Sequence, residues 1–152
     1  GLPAALERLA EHLDEIHEAQ IQYRRHGYES DSIPDAAAAN HLYRIAQEAA
    51  TNALRHGDAD RIDLILSGSD QHVRLQVRDD GRGFDLESVH AEGLGLRTME
   101  YRARLMGGEL SISTVEEKGT TVTCTLGSNG GELADAPAVR GANERSDGGC
   151  PV

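Results

Sequence analysis

Four short stretches carry residue types and spacings that could do chemistry. The first is Arg44-Ile45-Ala46-Gln47-Glu48-Ala49-Ala50-Thr51-Asn52-Ala53-Leu54-Arg55-His56. Glu48, Asn52 and His56 recur every fourth residue and so share one row of a helix. Leu42, Ile45, Ala46, Ala49 and Ala53 form the apolar stripe of the same helix. At roughly 100° per residue, Asn52 stands about 80° from the centre of that stripe. That is a rim, where a side chain can lose water and still face a cleft. The plainer alternative is a solvated face with a capping His.

The second stretch, Val77-Arg78-Asp79-Asp80-Gly81-Arg82-Gly83-Phe84, ends an alternating run on a carboxylate followed at once by glycines. Glycine there admits positive φ and lets a flat ligand approach the backbone. A plain Asp-Gly turn has the same composition. A calcium loop fits poorly, because the oxygen-ligand spacing and the distal Glu are absent. The third, Gly93-Leu94-Gly95-Leu96, opens a helix, whose free N–H groups and dipole favour an anion. No Gly-Lys-Ser/Thr phosphate loop occurs anywhere in the chain. The fourth, Lys118-Gly119-Thr120-Thr121, reads by itself as a turn into a Thr-rich strand.

The elements that must position these residues follow from periodicity. Leu6, Leu9, Leu13 and Ile16 place an amphipathic helix over about residues 2–18, and a strand is expected over about 19–28. Ser30–Pro34 is a loop with Ser32 and Pro34 at a helix start. A long helix spans Asp35 to His56, and Gly57 stops it. Arg61–Leu66 and His72–Asp79 alternate and form a hairpin. Residues 80–92 read as a loop and Gly95–Met106 as a helix closed by Gly107-Gly108. Leu110, Ile112 and Thr114, then Val122, Cys124 and Leu126, mark a second hairpin. Each strand has one apolar face, which implies an α/β two-layer sandwich: a mixed, mainly antiparallel sheet with helices on one face.

Composition sets the outer bounds. The 152 residues suit one domain, with 38% hydrophobic residues and a formal net charge of −11. With 3% aromatics and no Trp, aliphatic residues and Ala must fill the core. The acidity disfavours nucleic acid and anionic membrane as partners. No apolar stretch approaches the ~20 residues of a membrane span. Cys124 lies in a strand and Cys150 in a Gly-rich segment, so no disulfide is expected and a reduced, cytoplasmic setting fits. The domain is expected over residues 1–126, with 127–152 a disordered tail or linker.

In order and spacing the four stretches resemble the nucleotide-binding boxes of the GHKL ATPase superfamily, which includes histidine kinases, gyrase B and a mismatch-repair ATPase. The resemblance covers about Asn40 to Leu126. His41-Leu42-Tyr43-Arg44-Ile45-Ala46-Gln47-Glu48-Ala49, Asn52-Ala53-Leu54-Arg55-His56 and Gly93-Leu94-Gly95-Leu96-Arg97-Thr98-Met99 are similar to sensor histidine kinases of the nitrate-sensor and DesK-like branch. Gly57 stands where that branch usually has Ala. The resemblance implies the Bergerat fold of that superfamily and a set of roles. Asn52 would coordinate Mg2+ bridging the phosphates of ATP, and Glu48 would be the catalytic acid that helps activate an incoming imidazole. Arg55 and His56 would lie near the phosphates. Asp79 would accept from the adenine amine, with Gly81 and Gly83 allowing close packing. Gly93, Gly95 and Leu96 would give N–H groups to phosphate, and Thr120 would support Asp79 and the adenine. A short lid would lie between Phe84 and Glu92.

The activity so implied is transfer of the ATP γ-phosphate to a histidine on a helical phosphoacceptor domain of the same parent kinase. That domain would form the homodimer and pass the group to a response regulator. His12 and His17 are expected to be surface residues, with the acceptor helices upstream of Gly1. This domain would make no direct membrane contact, although its parent could be membrane-anchored. A serine kinase of the anti-sigma-factor type shares the boxes and is the alternative. A degenerate nucleotide sensor is a third reading.

Overall fold

The computed structural model describes residues 1–29, 35–69, 71–84 and 95–127. The expected loop at 30–34, most of the expected lid, Gly93 and the tail with Cys150 lie outside these residues. Eight elements follow in order: α1 (Leu2–Ile16), β1 (Gln20–His26), α2 (Ala36–Arg55), β2 (Arg61–Gly68), β3 (His72–Asp79), α3 (Leu96–Leu105), β4 (Glu109–Val115) and β5 (Gly119–Gly127).

Local sequence explains the boundaries. In α1, Leu2, Leu6, Leu9 and Leu13 are buried at helical spacing, and Asp14 turns the chain by accepting the Ile21 N–H at 2.9 Å. The Asp35 side chain caps α2 by accepting the Ala38 N–H at 2.8 Å, which satisfies one of the free donors of the first turn. At the other end the N–H groups of His56 and Gly57 return to Asn52 and Ala53. The 20-residue helix thus fits the expected span, with the cap at Asp35.

The five strands form one sheet in the order β1-β2-β3-β5-β4. Only β1 and β2 run parallel, across the long connection through α2; the other three pairings are antiparallel. The chain enters β5 by a hairpin from β4, yet β5 also pairs with β3. Asp79 at the end of β3 therefore stands opposite Thr120 at the start of β5. This is the mixed, mainly antiparallel sheet the alternation implies, and β5 runs to Gly127, one residue past the expected domain boundary.

Among the described residues, three helices pack on the inward face of the sheet: α1 on β1, α2 across β2, β3 and β5, and α3 against α2 and β4. Ile62, Leu64, Leu66, Val73, Leu75, Val77, Ile112 and Val122 fill that face. Ala46, Ala49, Ala50 and Ala53 line the underside of α2. Their small side chains let the helix sit close to the strands, and enlarging one would cost about 1–3 kcal/mol through displaced packing. Cys124 is fully buried among them, and burial pushes its thiol up to about 12. It stays protonated and unreactive.

Candidate functional site

A cleft opens where the C-terminal half of α2, the start of α3 and the ends of β3 and β5 meet. Ala49, Ala53, Val77, Val122, Leu96 and Met99 give it apolar walls, and Phe84 flanks it. Its polar groups are few: Asn52 and His56 from α2, Asp79 from β3 and Thr120 from β5. An apolar slot with a small convergent set of polar groups is the usual anatomy of a small-molecule site.

Asp79 is the acidic group in this wall. Its Oδ1 accepts the N–H of Gly81 at 2.8 Å. Burial holds its carboxyl above the ordinary carboxylate range, and the charge of Asp80 adds to that. The N–H groups of Gly81 and Thr120 pull the other way without cancelling the shift. A half-desolvated carboxylate accepts strongly from any ligand donor that reaches it.

Its neighbour Asp80 does different work. The Asp80 Oδ1 accepts the N–H groups of Asp60 and Arg61, both at 2.9 Å, tying the end of β3 to the turn that follows α2. Arg82 strengthens the tie. Its N–H donates to the Gly57 carbonyl at 2.8 Å and its guanidinium to the His56 carbonyl at 3.2 Å. Gly57 and Gly81 touch at this junction, and a Cβ on Gly81 would lie 2.5 Å from the Gly57 oxygen. The glycine at 81 is therefore required by close packing of two backbones, and it is buried away from the cleft wall.

Two hydroxyls continue the polar edge behind Asp79. Thr114 and Thr120 are buried, at 5% and 7% exposure, and their oxygens stand 3.0 Å apart. The Thr114 Oγ1 also accepts the Phe84 N–H at 3.0 Å. Gly83 turns through φ 69° beside them, and a Cβ there would strike the Val115 carbonyl.

Across the cleft, Gly95 caps α3 in the left-handed region at φ 84°. A Cβ on Gly95 would collide with the Glu48 carboxyl, so Glu48 seats directly against the start of α3. The unpartnered N–H groups of a helix's first turn, with the helix dipole, favour an anion.

The structure thus brings Asn52, His56, Asp79, Gly83, Leu96 and Thr120 to one cleft, with Gly95 and Glu48 beside it. Arg55 is exposed and does not line the cleft. Sequence reasoning did not single out Thr114, Arg82, Met99 or the Asp80 anchor. For Thr114 a signal existed: a polar residue in phase with Leu110 and Ile112 on an inward face.

Comparison with known proteins adds to this geometry. The family model described as "Histidine kinase-, DNA gyrase B-, and HSP90-like ATPase" matches residues 37–129. The sensor histidine kinase LiaS of Bacillus subtilis is 35% identical over 115 residues, which is 76% of this chain and 30% of LiaS. The sensor protein VraS of Staphylococcus aureus is 32% identical over 83 residues, 55% of this chain and 24% of VraS. The chain therefore spans less than a third of the length of these relatives. Among solved structures, the histidine kinase domain of a blue-light activated kinase from Erythrobacter litoralis superposes with a TM-score of 0.63 at 29% identity, covering 82% of this chain and 64% of that one. The ATP-binding domain of PrrB from Mycobacterium tuberculosis shares the fold, with a TM-score of 0.64 at 21% identity over 83% of this chain and 93% of that one.

Proposed function

Since this chain belongs to the histidine kinase-, DNA gyrase B- and HSP90-like ATPase family, we propose that it is the ATP-binding catalytic domain of a sensor histidine kinase. It would transfer the γ-phosphate to a histidine on a helical phosphoacceptor domain of the same parent, for onward transfer to a response regulator. The observation that carries the reading is the convergence of Asn52, Asp79 and Thr120 on one apolar cleft beside the start of α3. Both relatives described above are sensor kinases, which supports this activity over the serine-kinase alternative.

The division of labour follows from the walls. Val77, Val122 and Met99 bury the faces of a flat base, and Asp79 accepts from its exocyclic amine. The first turn of α3 receives phosphate, because its N–H groups have no partners within the helix. In a chain of net charge −11, such fixed dipoles supply the local positive field that phosphate needs.

Asn52, which lines the cleft, would hold a magnesium ion. Among the described residues, no group of three or more His, Cys, Asp or Glu could hold a metal by itself. An ion here would draw its other ligands from phosphate and water, which suits a small hard cation. When bound, it would neutralise charge on the phosphate oxygens. Glu48, seated against Gly95, would take a proton from an imidazole approaching the phosphate end of the cleft. Phosphoryl transfer asks mainly for such positioning and charge balance.

The test is transfer in trans. The purified domain, radiolabelled ATP and a separately purified acceptor domain of the parent kinase should give acid-labile phosphohistidine. Glu48→Gln should bind ATP normally and transfer at least tenfold more slowly. Acid-stable phosphoserine as the product would overturn the histidine-kinase assignment.

A further inference from the structure

A second hollow lies on the α1 side of α2, in the groove between the two helices. Its volume is about 790 Å³, within the roughly 300–1,000 Å³ range of small-molecule sites. It shares no lining residue with the cleft described above: α2 turns Ala39, Tyr43 and Gln47 to the groove, and Asn52, Ala53 and His56 to the cleft.

The groove changes character along its length. Asp14 ties the end of α1 to the Ile21 N–H at the start of β1. The Gln20 N–H donates to the Asp60 carbonyl at 2.8 Å, just past the turn that follows α2. Both helices therefore finish where β1 and β2 begin, and their first turns share the other end. At that other end the lining is apolar, with Leu2 and Ala5 facing Ala36 and Ala39. Toward the finish the rim turns polar, with Arg8 and His12 on α1 and Gln47 and Thr51 on α2, above a floor continued by Leu9 and Leu13.

Charge is sorted in the same way. The α1 helix carries Glu7, Glu11, Asp14 and Glu15, yet none of these carboxylates lines the groove, and nor does Glu48 of α2. Among the described residues that line it, Arg8 has the one fixed charge, with the His12 imidazole a turn further on. In a chain of net charge −11, this is a local cationic spot beside an apolar slot.

We propose that the groove binds a single-chain carboxylic acid, with its hydrocarbon tail along Leu2, Ala5 and Ala39 and its carboxylate on the Arg8 guanidinium. Burial of each methylene favours the tail, and the planar guanidinium can meet both oxygens of the head. A docked protein helix would call for polar groups spaced along both rims. Here they gather at one end, which matches a molecule with a head and a tail. The site stands apart from the nucleotide reading and goes beyond it.

Calorimetric titration of the full chain with decanoate, octanoate and decyltrimethylammonium, each below its micelle concentration, tests the idea. Decanoate should bind at one molecule per chain, roughly five- to fifteenfold more tightly than octanoate. It should bind at least fivefold more tightly than the cation of equal chain length, and saturating ADP should not displace it. Arg8→Glu, at an exposed position, should keep the wild-type Tm and lose the preference for the anion to within about twofold. Arg8→Lys, which keeps the charge, should retain that preference. The proposal is overturned by no decanoate binding, by uptake of several molecules without saturation, or by equal affinity for anion and cation. Displacement by ADP, or a wild-type preference in Arg8→Glu, overturns it as well. Saturable binding of an acidic amphipathic helical peptide, with none of decanoate, would assign the groove to a protein partner instead.

Discussion

Gly95 begins α3 at φ 84° with the Glu48 carboxyl standing where a side chain at 95 would go, so the helix start and the acidic row of α2 meet without room for one. Substitution there would strain the backbone and displace Glu48 together. Gly95→Ala should cost about 1–3 kcal/mol of stability from the left-handed backbone, visible as a lowered Tm. It should also weaken binding of ADP more than binding of adenosine, because the disturbance lies at the phosphate end. Equal losses for the two ligands would place Gly95 outside the phosphate site.

Asp79 stands at the buried edge of the cleft, and its carboxyl is held above its ordinary value chiefly by burial. An acid whose folded value is raised favours the folded state most at pH below its unfolded value. That contribution is lost as pH rises through the folded value. At neutral pH the ionised carboxylate therefore weakens the nucleotide-free domain. Asp79→Asn should raise the Tm of the free protein at pH 7, and the gain should shrink as pH falls toward 4. Thermal melts across that range check it; a lowered Tm at pH 7 would contradict it. A residue kept at the expense of stability is what a binding site requires.

Asn52 lines the cleft and, as a neutral amide, carries no charge to bind phosphate directly. Chelating magnesium should weaken ATP binding to wild-type protein severalfold. Asn52→Ala should bind ATP with an affinity that no longer responds to magnesium, and should not transfer phosphate. Fluorescence titration with and without EDTA reads both, and a preserved magnesium response would remove Asn52 from the metal site.

Much of this arrangement was legible in the sequence. Alternation in Ile62, Leu64 and Leu66, and in Val73, Leu75 and Val77, set the inward face of the central strands, and helical spacing set the stripe of α2. What periodicity could not give was strand order. β5 lies between β3 and β4, and that insertion alone places Thr120 opposite Asp79. The roles of the two adjacent aspartates were equally hidden. Only tertiary contact shows that Asp80 anchors Asp60 and Arg61 while Asp79 faces the cleft. Gly81 was expected to let a base pack closely; nothing in the sequence signalled that the Gly57 carbonyl also leaves no room for a side chain there. Thr114 looked like one more strand residue, because the N–H it accepts, that of Phe84, lies 30 positions away in the sequence.

The most direct measurement is calorimetric titration of the wild-type domain and of Asp79→Asn with ADP at neutral pH. The cleft described here predicts one nucleotide per chain. It also predicts a ten- to hundredfold weaker affinity for the variant, from loss of one charge-assisted hydrogen bond worth about 1.5–3 kcal/mol. Equal affinity in the two proteins would contradict it.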